Sequence, residues 1–416
     1  MAKSRSPLAE TAGDEWLFSF HFDLDEEETD MLKDQQYLRI PGPTPVPPSV
    51  QRAMAQPMVG HRASETAELI RRIRPGLKKV FGTEQDVMIF AGSGTSGLEA
   101  AVVNTVGEGD EVIVAVTGAF GRRFVKILDA YGVTVHEIET EWGQSVSPEE
   151  IRGALRKNPE TKAVFATFCE TSTGVLNPVA ELAQAVRDES DALFIVDGVS
   201  CIGGVESKMD EWGIDILVTG SQKAMMLPGG LMFAACSDRA WKVIEENTRR
   251  GFYLDFTKYR DNLKKDSTPF TPATSLLYGL EQAIRLIEEE GFGEVISRHE
   301  LMKDMTRAAF KALGIPLLAN DEDASPTVTA VRPDGFDAAK LRKVLKEEFN
   351  LIVAGGQEHL KDAIFRIGHM GYASPGDVLQ TLAMIEIGIR KAGQEIELGK
   401  GVAAAQQIYL GKGDPQ

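Results

Sequence analysis

The 416-residue chain has only three cysteines, Cys169, Cys201 and Cys236. They are too few and too irregularly spaced for a disulfide framework or a zinc site, so no metal is expected and a reducing cytoplasm fits. No stretch approaches the ~18 consecutive apolar residues of a membrane span. The first residues lack the apolar core of a signal peptide and are too acidic for a mitochondrial transit peptide. An excess of basic residues is missing too. The formal charge of -17 argues against nucleic acid or an anionic membrane surface as the main partner. Neither an internal repeat nor a low-complexity tract is present.

What remains is the composition of an ordinary globular protein, 43% apolar and 26% charged, long enough for two sub-domains and a large core. Part of the negative charge is local. Residues 1–34 hold ten acids against three bases, so residues 1–36 are expected to be an acidic N-terminal extension, solvated and mobile. The proline-rich stretch from Ile40 to Pro48 follows. It is expected to be extended, because proline fixes φ and restrains its predecessor.

From Glu65 onward, helical patterns alternate with short apolar runs. Strands are expected at 87–91, 111–116, 134–137, 163–167, 193–196 and 216–219. This alternation predicts an α/β fold with a doubly wound, mainly parallel sheet, whose ligands sit at the carboxyl ends of strands. Gly92, Asp197 and Ser221 all fall there. After about residue 290 the pattern changes to a long helix at 292–313, strands at 327–331, 351–354 and 364–367, and helices at 337–349 and 375–391. The expected division is therefore a large domain over 37–290, a small C-terminal domain over 291–395 and a tail over 396–416.

Three features carry chemistry. Gly92-Ser93-Gly94-Thr95-Ser96-Gly97 joins a strand to a helix start, where glycines admit an anion, hydroxyls donate to it and free N–H groups face it. Taken alone, such a turn is as often structural, and it lacks the GK[ST] ending of a nucleotide loop. Asp197 follows the buried run Ala192–Val196; by itself it fits a helix cap equally well. Lys223 follows a second buried run, 26 residues later; by itself it reads as a surface lysine. A buried carboxylate and lysine on successive strand ends, behind an anion loop, are what a pyridoxal phosphate enzyme needs. The lysine forms the Schiff base and the carboxylate keeps the pyridine nitrogen protonated.

These segments resemble the class V aminotransferases of pyridoxal-phosphate fold type I, in the alanine–glyoxylate / serine–pyruvate (serine–glyoxylate) branch. The resemblance runs from about Tyr37 to Gly393. It rests on Pro41-Gly42-Pro43-Thr44, Gly60-His61-Arg62, Gly92-Ser93-Gly94-Thr95, Glu170-Thr171-Ser172-Thr173-Gly174, Val196-Asp197-Gly198-Val199-Ser200, Gly220-Ser221-Gln222-Lys223, Thr268-Pro269-Phe270-Thr271-Pro272 and Arg366-Ile367-Gly368-His369-Met370-Gly371. It implies a large domain on a mainly parallel seven-stranded sheet and a smaller C-terminal α/β domain. The implied activity is a ping-pong transamination from a small amino acid, alanine or serine, to a 2-oxo acid such as glyoxylate or pyruvate.

The resemblance also implies roles. Lys223 and Asp197 are catalytic. Ser93, Gly94 and Thr95 bind the cofactor phosphate with Gln222, Thr171 lies near the 3-oxygen, and Phe120 stacks on the pyridine. Many relatives have tryptophan at Phe120; phenylalanine keeps a π-face with less area. Thr268 and Thr271 reach the neighbouring subunit's phosphate in a homodimer, although some relatives carry tyrosine at Thr268. Arg366 grips the substrate carboxylate, for which a planar, permanently charged guanidinium is suited. Gly42 and His61 bind substrate, His61 near the substrate mouth; ureidoglycine–glyoxylate relatives carry glutamine in place of His61. Singly, Phe120 reads as core, Arg366 as a salt-bridge residue and His61 as loop packing.

No second arginine motif stands out, which favours small neutral donors over aspartate. Aspartate, phosphoserine, phosphonate and ureidoglycine transaminases remain alternatives, as does a regulatory or complex subunit on the same fold. Cysteine desulfurase is disfavoured, because Gln222 precedes Lys223 and no cysteine follows Cys236.

Overall fold

A computed structural model describes residues 35–411. The extension expected at 1–36, apart from its last two residues, lies outside them, as do the final residues of the expected tail. Seven strands form the central sheet. Their spatial order is Met88–Gly92, Gly230–Cys236, Ile216–Gly220, Leu193–Asp197, Thr161–Thr167, Glu111–Val116, Thr134–Glu139. Neighbours run parallel except Gly230–Cys236, which is antiparallel to both of its partners.

Successive strand residues point to opposite faces, and both faces are covered. Ile113, Val164, Ala166, Phe194 and Val196 enter one core; Val112, Val114, Phe165, Leu193 and Ile195 enter the other. Burial of each large side chain contributes roughly 1.5–3 kcal/mol. Two covered faces are why the inner strands read as nearly unbroken apolar runs, whereas the edge strand Thr134–Glu139 is mixed and without a buried residue. The seventh strand, Gly230–Cys236, is not among the six expected from the residues. It contains no β-branched residue, and a seven-residue apolar run without one reads equally well as buried helix.

Two helices begin at the carboxyl edge of this sheet. Gly94–Thr105 follows the Met88–Gly92 strand, with Ser93 as its N-cap accepting from Ser96 N. Ala119–Ala130 follows Glu111–Val116.

The 40–48 stretch turns rather than running extended. Gly42 has φ +95° and the Gly42–Pro43 peptide is cis, while Gly42 N donates to Ile40 O at 2.7 Å. Glycine tolerates a φ that the flanking prolines forbid. Pro48 opens the helix Pro48–Met54, where its missing N–H leaves no bond unmade.

A third core joins the helices Phe292–Ala312, Ala338–Phe349 and Pro375–Ala392 through Phe310, Leu341, Leu345, Leu382 and Ile389. A three-stranded antiparallel sheet, Val328–Val331, Phe365–Gly368 and Ala354–Gly355, completes it. The expected tail departs from expectation: Lys400–Gly411 is a helix with Ala405 buried in this core. Buried Glu386 accepts from Val402 N at 2.9 Å and so anchors the helix start. Among the described residues no helix is long and apolar enough to cross a membrane.

Candidate active site

Asp197 ends the Leu193–Asp197 strand, and Lys223 lies three residues beyond the neighbouring Ile216–Gly220 strand. No helix follows Asp197 for it to cap. Its Oδ1 instead accepts from Val199 N at 2.9 Å within a turn. Burial pushes this carboxyl up to about 6. Lys223 is also buried, and burial lowers its ammonium to about 8. A low-dielectric pocket disfavours both charged forms.

The turn from Pro41 to Thr44 packs on Lys223. The ammonium donates to the Pro41 carbonyl. Thr44 Oγ1 donates to Lys223 O at 3.0 Å, and Thr44 N to Gln222 O at 3.1 Å. Gly42 is glycine for a second reason here: an added Cβ would stand 2.4 Å from Lys223 Cδ.

The 93–95 turn presents the N-terminus of the Gly94–Thr105 helix. Gly94 lies so close to Val199 that a Cβ would stand 2.8 Å from Val199 Cγ2. The Gln222 amide lies beside it: a Cβ on Gly220 would meet Gln222 Oε1 at 2.9 Å and Gly94 N at 3.4 Å. Gln222 Oε1 is buried without a hydrogen-bond partner. A half-turn of that amide presents N–H₂ in the same place. An unpaired buried amide beside free helix N–H groups fits a bound anion such as a phosphate ester.

Phe120 occupies the first turn of Ala119–Ala130, and the Arg123 guanidinium lies 4.5 Å from its ring centroid. Glu170, fully buried, accepts from Phe120 N at 3.1 Å, Gly121 N at 3.0 Å and Ser172 N at 3.1 Å. Desolvation raises this carboxyl, opposed by those donors and by the Ser172 hydroxyl. It therefore fixes both the ring and the loop carrying Thr171, whose hydroxyl bonds to that of Ser200.

Arg366, buried in the Phe365–Gly368 strand, donates from Nη1 to Thr171 O and from Nε to Gly355 O, each at 2.8 Å. Among the described residues it has no ion-pair partner. Burial lowers it to about 10, so it keeps its charge and offers remaining N–H groups to a carboxylate.

Three expected site residues make no hydrogen bond to Lys223, Asp197 or the 93–95 turn within the described chain. His61 is exposed in a turn. Thr268 Oγ1 donates to Phe270 O at 2.7 Å, and its carbonyl accepts from Arg62 at 2.6 Å. Thr271 and Thr268 line one small cavity with Phe90, Ala91 and Leu231. Neither threonine hydrogen-bonds Lys223, Asp197 or the 93–95 turn within this chain. Conversely, Glu170, Thr44 and Arg123 carried no assigned role in the sequence. A carboxylate directly after the apolar run Ala163–Cys169 was the available sign for Glu170.

Residues 36–374 match the family model described as aminotransferase class-V. The soluble hydrogenase small subunit of Synechococcus sp. (strain PCC 6716) is 40% identical over 91% of this chain and 99% of that protein. The serine–glyoxylate aminotransferase of Methylorubrum extorquens is 37% identical over 90% and 96%. Among solved structures, the ureidoglycine–glyoxylate aminotransferase of Bacillus subtilis superposes with a TM-score of 0.84 at 33% identity, covering 90% of this chain and 98% of that one. The chain belongs to the class-V aminotransferases.

Proposed function

We propose that the protein is a pyridoxal 5′-phosphate-dependent aminotransferase that moves the amino group of alanine or serine to glyoxylate or pyruvate in a ping-pong sequence. One observation carries the reading: a buried carboxylate at the end of one strand and a buried lysine, shifted toward its neutral form, just beyond the end of the adjacent parallel strand, beside a helix N-terminus suited to a phosphate. When bound, the pyridoxal ring supplies an electron sink for the bond broken at the substrate Cα. Lys223 Nζ would hold the cofactor through its amine and would carry the proton removed from and returned to the substrate Cα. Asp197 would hold a proton at the ring nitrogen. Ser93, Gly94, Thr95 and Gln222 would hold the phosphate, Phe120 would pack on the ring and Thr171 would bind near its 3-oxygen. Arg366 orients the substrate carboxylate, with Gly42 and His61 at the mouth.

Thr268 and Thr271 make no hydrogen bond to their own Lys223, Asp197 or 93–95 turn, which supports a homodimer in which they complete the partner's phosphate site. Three buried free thiols suit a reducing cytoplasm. The hydrogenase-subunit name of the Synechococcus relative favours a second reading, a component of a larger complex. Turnover by the isolated chain separates the two. The test is a donor-by-acceptor activity screen of purified protein, with Lys223→Ala alongside. We expect alanine or serine with glyoxylate or pyruvate to be active, and the variant to lose bound-cofactor absorbance while remaining folded. An unchanged spectrum would sink the lysine assignment.

A further inference from the structure

Arg122 and Arg123 are adjacent on the Ala119–Ala130 helix but meet different surroundings. Arg122 pairs with Glu137 and Glu139. Arg123 has no ion-pair partner among the described residues. Its Nη1 donates to Thr95 Oγ1 at 3.1 Å, and its guanidinium lies 4.5 Å from the Phe120 ring centroid. Half-buried, it stands between the 93–95 turn and the aromatic ring, in a chain whose net charge is -17.

We propose that Arg123 is an anion-binding residue of this site, the positive charge that holds a phosphate monoester at the 93–95 turn. The inference rests on the cofactor reading above and adds a residue to it. Helix N–H groups amount to about half an elementary charge, well short of a phosphate dianion, and the Gln222 amide is neutral. A guanidinium already bonded to Thr95 supplies a full charge with planar donors matched to phosphate oxygens. Its contact with Phe120 couples the phosphate end of the site to the ring end.

The experiment uses the full-length, cofactor-free chain and measures, by calorimetry, binding of inorganic phosphate, pyridoxal 5′-phosphate and pyridoxal to wild type, Arg123→Gln and Arg123→Lys. Loss of one charge-assisted contact predicts that Arg123→Gln binds both phosphate ligands at least about tenfold more weakly. Pyridoxal, which lacks the phosphate, should bind both proteins equally, and Arg123→Lys should recover part of the loss. Equal phosphate affinity in wild type and Arg123→Gln overturns the proposal. So does equal weakening of pyridoxal and pyridoxal 5′-phosphate, which would leave Arg123 as a support for Phe120 only. Wild type that binds phosphate through Arg123 but forms no coloured complex with pyridoxal 5′-phosphate would instead overturn the cofactor reading and keep the anion site. Wild type that binds none of the three overturns both.

Discussion

Lys223 runs along the backbone of Gly42 so closely that a Cβ at Gly42 would stand 2.4 Å from its Cδ and 2.8 Å from its Nζ. Gly42 also has φ +95°. The missing side chain therefore shapes the path of the lysine amine. Gly42→Ala should lower kcat about 100-fold, the scale of an ångström-sized misplacement of a reacting group. Steady-state kinetics with a thermal melt would check this, and near-wild-type turnover would show that the lysine does not need this path.

Burial lowers Lys223 to about 8 from 10.5 and raises Asp197 to about 6 from 3.8. Only the neutral amine attacks an aldehyde. Cofactor-free protein should thus combine with pyridoxal 5′-phosphate faster as pH rises, levelling off above about 8, as followed by stopped-flow absorbance. A rate still climbing at pH 10 would contradict it. For stability the signs are opposite. Between about pH 8 and 10.5 the unfolded chain binds more protons at Lys223, so that contribution to stability rises with pH. Between 3.8 and about 6 the native state binds more at Asp197, so that contribution falls as pH rises.

Arg366 spends two donors on the Thr171 and Gly355 carbonyls. Lysine cannot reproduce that fork and still face a carboxylate. Arg366→Lys should raise KM for the amino donor at least about tenfold. It should also erase the preference for an amino acid over its amide, measured as a ratio of kcat/KM values. A retained preference would assign the carboxylate to another residue.

Glu170 satisfies three backbone N–H groups in a fully buried position. Glu170→Ala should destabilise the protein by roughly 3 kcal/mol, because those donors lose their acceptor away from water. Urea unfolding reads the loss directly. A midpoint equal to wild type would mean that water replaces the carboxylate.

Much of this site was legible along the chain. Five of the seven central strands were apparent as apolar runs because both sheet faces are buried there, while the exposed edge strand Thr134–Glu139 showed only a mixed run, Thr-Val-His-Glu-Ile-Glu. Asp197, Lys223 and the 92–97 turn stood out because polar or glycine residues end those runs. The Gly230–Cys236 strand did not, since leucine, methionine, phenylalanine and alanine suit a buried helix as well. The turn at Gly42 was masked by surrounding prolines, and the helix at 400–411 by its position after an apparent end.

The sequence by itself determined the chemistry at each position: which residues can carry a proton, a charge or a close backbone approach, and in what order. Only the tertiary structure decided which of them meet. It set Gly42 against Lys223 across 181 residues of chain, joined Glu170 to the backbone of Phe120, and placed Arg123 beside Thr95 with no ion-pair partner among the described residues. Such meetings depend on strand order and packing between distant segments, and no local pattern in the chain encodes them.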